Sequence, residues 1–407
     1  MHPFINRYKY HLLLVFIGLA WIHIFDFLTQ MSSQGIIYPD SRSYCEAARN
    51  LYVFHRGHNY RPMLLALING IPYAFGGSDA SVYGFSYFVN LFCWLAFPLV
   101  LFEIVKQFLK PEAAFFISAV SLFFIGNTVF VFHLFSENIY MFFIISGFYF
   151  LSEYFKKKKF RDLSAALAIF ILAILIKPGS MFLAIIFGLF FIKDIIRHYR
   201  TKSAWFIYGS VMLIFIQCAG VKYQFGNFTV SYIDATTFYG YLGERATALD
   251  EGASYKPRKT IYSFPCPVQK EMAAADMKRQ LLSNTKNLFK AYGLDLIENA
   301  TTGSICLKDC KNIRDRESFP FWKSFIFKLS EWQNRLFSII AILLSGWFLF
   351  KSYRKDKFFA LVAFFIGYNI FLSGISFAEG DRFNVITFPF ALILLAKLLK
   401  DRTKILA

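Results

Sequence analysis

Apolar residues fall into ten long runs along the chain, each closed by charged or turn-forming residues. They cover Tyr10–Phe27, Tyr83–Val105, Ala113–Phe130, Ile139–Phe155, Leu163–Ile176, Ser180–Ile192, Trp205–Val221, Phe337–Phe350, Phe358–Leu372 and Val385–Leu399. An apolar helix of about 20 residues crosses a hydrocarbon layer of roughly 30 Å. The pattern therefore predicts an all-α polytopic membrane protein of about ten transmembrane helices. The first run is long and more spans follow, so it reads as a span and not as a cleaved signal peptide. Leu163–Ile176 is only 14 residues, roughly 21 Å of helix. Basic clusters at Lys156–Lys159 and Lys193–Lys202 bracket it and the next run. We read two short spans meeting at Lys177-Pro178-Gly179. Their turn would be sunk below the membrane surface in a protein-lined or water-filled recess, because lipid does not tolerate irregular backbone.

Between the runs lie two polar stretches of interest. In the first, 29–82, Asp40 followed by Ser and a helical pattern reads as an N-cap. Arg61-Pro62 there precedes Met63–Phe75, which is apolar but too short to span and fits an interfacial helix. The second, 222–336, is long enough for a small domain but shows no clear period. The chain divides accordingly into an N-terminal membrane module (1–221), an outside segment (222–336) and C-terminal membrane helices (337–407).

Charge supplies the orientation. Of the 407 residues 57% are hydrophobic and 17% charged, with a net charge of +18; a soluble domain carries about 25% charged residues. Lys and Arg cluster at the ends of apolar runs, which argues against nucleic-acid binding. With the N-terminus inside, 21 of them fall on the short inside segments and six on the short outside ones. That bias predicts cytoplasmic termini and an outside face for 29–82, Glu137, Lys177 and 373–383. Long loops cross whatever their charge, so 222–336 is placed outside as well.

On an oxidising face one disulfide is expected among Cys266, Cys306 and Cys310, with Cys45 a further partner. No CxxC or clustered His accompanies them, so a zinc site is disfavoured. Asn227-Phe-Thr and Asn299-Ala-Thr match the N-glycosylation sequon, which is frequent by chance. The ionisable residues at the outer ends of spans are Asp40, Glu46, Arg61, Glu137, Lys177, Glu379, Asp381 and Arg382. For Glu46, Glu379 and Asp381 taken alone, an interfacial charge reaching water is the simpler reading. Together, carboxylates and three cations on one side suit attack by an acceptor hydroxyl on a sugar carried by a lipid phosphate. The hydroxyl needs a base, and the leaving phosphate needs fixed cations.

Four landmarks then fall in order: Asp40-Ser-Arg-Ser-Tyr44 with Tyr60-Arg61-Pro62, Ser136-Glu137-Asn138, Lys177-Pro178, and Gly380-Asp381-Arg382-Phe383. In these the chain resembles the GT-C superfamily of polyprenyl-phosphate-sugar-dependent glycosyltransferases. The resemblance implies that Asp40 is the general base or acceptor-orienting carboxylate. It implies that Arg61, Lys177 and Arg382 hold the donor phosphate and that Glu137 positions an acceptor or a metal; Tyr44, Glu46, Tyr60 and Asp381 are further acceptor-binding or positioning candidates. Two departures matter. Ser41 stands where the family often has a second acid, so a divalent cation is not supported and no cofactor is expected. Lys177 replaces the commoner Arg, which forfeits bidentate phosphate binding.

Small bacterial members that decorate lipopolysaccharide O-antigen, often with glucose from undecaprenyl-phosphate glucose, resemble this chain in size and Phe/Lys-rich composition. The implied partners are a polyprenyl-phosphate sugar, a lipid-linked or lipopolysaccharide glycan acceptor, and membrane lipid. The implied location is the bacterial inner membrane with a periplasmic site. An O-antigen polymerase or ligase, joining preassembled glycans, is the main alternative. A transporter would place interruptions in both halves of an internal repeat, and only the one at Lys177-Pro178 is visible.

Overall fold

The computed structural model describes residues 3–35, 38–352, 355–377 and 379–406. Among them the regular elements are all helical. Helix α1 (Pro3–Thr29) leads to α2 (Pro39–Tyr52) and the short α3 (Met63–Asn69). Next come α4 (Asp79–Val105), α5 (Pro111–Leu122), α6 (Glu137–Lys157) and α7 (Phe160–Leu172), then α8 (Met181–Phe190) and α9 (Trp205–Phe225). The longer helices of 222–336, the stretch read above as the outside segment, are α10 (Gly243–Glu251), α11 (Cys266–Ser283) and α12 (Thr285–Thr301). The chain ends with α13 (Phe319–Ser352), α14 (Lys357–Ser373) and α15 (Phe388–Leu406).

Each of the ten apolar runs lies on a helix or on helices interrupted by a turn. Among the described residues four helical stretches are long and apolar enough to cross a membrane: Tyr8–Thr29, Asp79–Val105, Lys202–Phe225 and Phe319–Lys351. Two bent pairs raise this to six, Pro178–Phe190 with Ile192–His198 (66°) and Gly380–Ile386 with Phe388–Asp401 (41°). Pro111–Leu122 and Lys357–Ser373 are apolar but shorter. The chain is thus a multi-pass membrane protein, with several runs built differently from the simple spans expected. The run 113–130 breaks after Leu122 and resumes as Ile125–Val129. The run 163–176 is helical to Leu172 and tightens to a 3₁₀ turn at Ala173–Leu175. Helix α13 begins at Phe319 and runs unbroken through the expected boundary at 336; its 34 residues extend about 51 Å, well beyond a hydrocarbon layer.

Aromatic side chains close the bundle. Phe148 of α6 lies at the centre, with Phe170 at 5.3 Å, Phe187 at 5.9 Å, Phe365 at 5.6 Å and Phe390 at 5.2 Å between ring centroids. Five helices therefore meet around one fully buried ring. Gly147 is required beside it, because a Cβ there would collide with the Phe170 ring. Aromatic pairs of this kind contribute ~0.5–1.5 kcal/mol each beyond their burial.

The outside segment has a different interior. A small apolar cluster of Phe238, Leu242, Ala246, Leu288 and Ala291 is flanked by amides. Gln280 Nε2 donates to the Gly243 carbonyl at 3.0 Å and Asn284 Nδ2 to that of Ala246 at 3.0 Å. Asn299 ties the segment to the membrane helices. Its Nδ2 donates to the carbonyls of Ser373 (2.8 Å) and Ser376 (2.7 Å), and its Oδ1 accepts from the Glu379 N–H at 3.1 Å. Asn299 is fully buried, so this sequon asparagine is a strut and not a glycan acceptor in the folded chain.

Candidate active site

Helix α2 starts with Pro39 at its first position, where the missing N–H costs nothing. Tyr38 occupies the N-cap position, so Asp40 sits in the first turn and does not cap the helix as expected. Its carboxylate faces inward. Oδ1 accepts from Arg61 Nη2 at 2.5 Å and Oδ2 from Arg382 Nη1 at 2.7 Å. Arg382 also donates through Nε to Glu137 Oε1 at 2.5 Å and through Nη1 to Glu379 Oε2 at 2.9 Å. Lys177 Nζ reaches Glu137 Oε1 at 3.4 Å. Three cations and three carboxylates from five separated stretches of chain thus form one continuous network.

Aromatic rings and hydroxyls support it. The Arg61 guanidinium lies 4.1 Å from the Tyr44 ring centre and Arg382 lies 4.7 Å from that of Phe135. Lys177 Nζ lies 4.7 Å from the Phe383 ring. Arg61 Nε donates to Ser43 Oγ at 2.8 Å, and Tyr44 O–H to Ser136 Oγ at 3.2 Å. Glu137 is 1% exposed, Arg61 12% and Arg382 13%, whereas Asp40 is 33% exposed. The carboxylate bridging the two arginines is the part of the network most open to solvent. Burial alone would raise the Asp40 carboxyl. The adjacent Arg382 and Arg61 charges outweigh it and hold the group below the usual carboxylate range.

Five of the sequence-derived candidates therefore converge: Asp40, Arg61, Glu137, Lys177 and Arg382, with Tyr44 as the platform under Arg61. Others do not. Glu46 is exposed, about 120° around α2 from Asp40. Tyr60 turns to the outside segment, where its O–H donates to Gln269 Oε1 at 2.9 Å. Asp381 is buried with Oδ1 unpartnered, and its carboxylate lies against Gly126, where any Cβ would collide with it. Glu379 belongs to the network although it read as a surface charge. Its spacing of three residues from Arg382 was the available signal.

The expected disulfide is not formed; all six cysteines are free. Cys310 Sγ contacts the Cys306 carbonyl at 3.1 Å and Met31 Sδ at 3.3 Å, while Cys266 meets Asn59 Nδ2 at 3.3 Å. Among the described residues no three His, Cys, Asp or Glu side chains gather as a metal ion would require. Asp40, Glu137 and Glu379 instead fan around Arg382.

Residues 59–221 match the family model described as dolichyl-phosphate-mannose-protein mannosyltransferase. The match covers less than half of the chain, and three of the landmark residues fall within it. The matched stretch holds Arg61, Glu137 and Lys177; Asp40 and Arg382 lie outside it and reach the same network through the fold. Among solved structures, the chain is similar to ArnT from Cupriavidus metallidurans bound to undecaprenyl phosphate, at 11% identity and a TM-score of 0.44, covering 96% of this chain and 78% of that one. No curated protein matches.

Proposed function

We propose that this protein is a GT-C glycosyltransferase that transfers a single sugar from a polyprenyl-phosphate donor to a glycan acceptor, such as lipopolysaccharide O-antigen, at the periplasmic face. The observation that carries the reading is the Asp40 carboxylate held between Arg61 and Arg382. The name of the family matched by 59–221, with its lipid-phosphate sugar, supports the donor class.

The chemistry follows from exchange of partners. A donor phosphate entering the network competes with Asp40 for the two guanidinium groups, which suit planar bidentate recognition of phosphate. Once Arg61 and Arg382 turn to the phosphate, Asp40 loses the charges that depress its proton affinity, and the phosphate adds negative charge nearby. Both changes raise its affinity for a proton. Donor binding thereby converts an inert carboxylate into a base. The acceptor hydroxyl attacks the anomeric carbon, its proton passes to Asp40, and the bond from carbon to phosphate oxygen breaks. The departing polyprenyl phosphate carries away the charge that Arg61, Arg382 and Lys177 stabilise. Glu137 holds Arg382 and Lys177 in place.

Purified protein in liposomes, supplied with polyprenyl-phosphate glucose and envelope glycans, is expected to add one hexose, read by mass spectrometry. Transfer only from a pyrophosphate-linked oligosaccharide would favour the polymerase or ligase reading instead.

A further inference from the structure

Beside the loop that carries Arg61 lies a polar feature that the transfer step does not use. It is an open-sided cleft of about 430 Å³, formed by Asn50 and Arg56, by the floor Gly57-His58-Asn59, and by Gln224 and Phe225 at the end of α9. Binding sites for small molecules typically measure ~300–1,000 Å³. Its groups are half satisfied. Gln224 Oε1 accepts the Gly57 N–H at 2.7 Å, and Asn50 Oδ1 accepts from Arg56 Nε and Nη2 at 3.3 Å. Gln224 Nε2 and Asn50 Nδ2 have no partner among the described residues. His58 Nδ1 accepts the backbone N–H groups of Tyr60 (3.0 Å) and Arg61 (3.2 Å), so its proton resides on Nε2.

No carboxylate lines the cleft. Amide donors, one guanidinium and one aromatic ring, without an anion, match a hydroxyl-rich saccharide, whose groups both donate and accept. The distance identifies which part of the saccharide. Asn50 lies ten residues beyond Asp40 on α2, about 15 Å along the helix. A hydroxyl reacting at Asp40 cannot also lie there, but a sugar unit further along the same chain can.

We propose that this cleft is a distal acceptor subsite, holding a sugar unit remote from the attacked hydroxyl, and that the acceptor is an extended glycan chain. The inference rests on the glycosyltransferase reading above. His58 links the two places, because the residue on the cleft floor also pins the backbone of Arg61.

The test uses the full-length protein in liposomes, polyprenyl-phosphate glucose, and O-antigen oligosaccharides of increasing repeat number released from envelope lipopolysaccharide. Wild-type kcat/KM is expected to rise about tenfold from the shortest to the longest chain. Gln224→Ala with Asn50→Ala is expected to flatten that rise, through KM and not kcat. A length-independent wild type, or a rise the double variant keeps, overturns the proposal. Saturation-transfer NMR with the longest oligosaccharide separates the two readings if no transfer is seen at all. Binding to wild type that the double variant loses supports the cleft even then, and absence of binding overturns it. Loss of polyprenyl-phosphate binding in the double variant would assign the cleft to the donor and also overturn the proposal.

Discussion

Two buried charge networks in this molecule look alike and differ in what they can do. One joins Asp40, Arg61, Glu137, Lys177, Glu379 and Arg382. The other lies in the outside segment, where Arg245 pairs with Asp295 and, at 3.0 Å, with Glu298. There Arg245 is covered by the rings of Tyr255 and Phe377, and Asp295 is fully buried. That network ties α10 to α12 and offers no exposed carboxylate between two cations. The first network has one, Asp40, which the proposed donor phosphate would displace.

The comparison breaks most sharply at Asp40. Asp40→Asn keeps the shape and some hydrogen bonds but removes the base, and transfer is expected to fall by ~10²–10⁴-fold with normal abundance in the membrane. Next is Arg382→Lys, which retains charge but loses the fork to Asp40, Glu137 and Glu379. A loss of ~10²-fold is expected in kcat/KM, measured with purified variant in liposomes. Arg245→Ala should act in the opposite sense. It strands the buried Asp295, at a cost of about 3 kcal/mol seen as a lower unfolding temperature, while kcat/KM per folded molecule stays near wild type.

The smallest expected effect is on pH. Burial pushes the Asp295 carboxyl up to about 6, with Arg245 opposing. A raised folded-state value means that the protonated form is favoured by folding, so its contribution is full below about 4 and lost as pH rises through 6. The unfolding temperature should therefore decline over pH 4 to 6, and Asp295→Asn should flatten that decline. Asp40 has the opposite sign. Its contribution is present above about 4 and lost only in stronger acid. Titration of the free enzyme at Asp40 therefore leaves kcat/KM unaffected between pH 5 and 8.

The sequence revealed more of the first network than of the second, for a physical reason. Asp40, Arg61, Glu137, Lys177 and Arg382 each interrupt or flank an apolar run on the same side, where a charge stands out. Glu46 stays out of the network because of the helical period: Ser43, Tyr44 and Ala47 follow Asp40 at the spacings of one face, and Glu46 does not. Asp381 and Tyr60 adjoin network residues in sequence, but neighbouring side chains on a turn point in different directions. The outside segment was illegible because its interior is built partly of Gln280, Asn284 and Arg245, so no apolar period announces its helices. The Asn299 contacts that seat it near Arg382 depend on the tertiary fold alone.

The most direct test of the central claim is sugar transfer by purified wild-type and Asp40→Asn protein in liposomes, with donor binding measured in parallel. The account predicts that wild type adds one hexose, and that Asp40→Asn binds polyprenyl-phosphate glucose at least as well yet transfers it ~10²–10⁴-fold more slowly. Transfer by Asp40→Asn at the wild-type rate would contradict it.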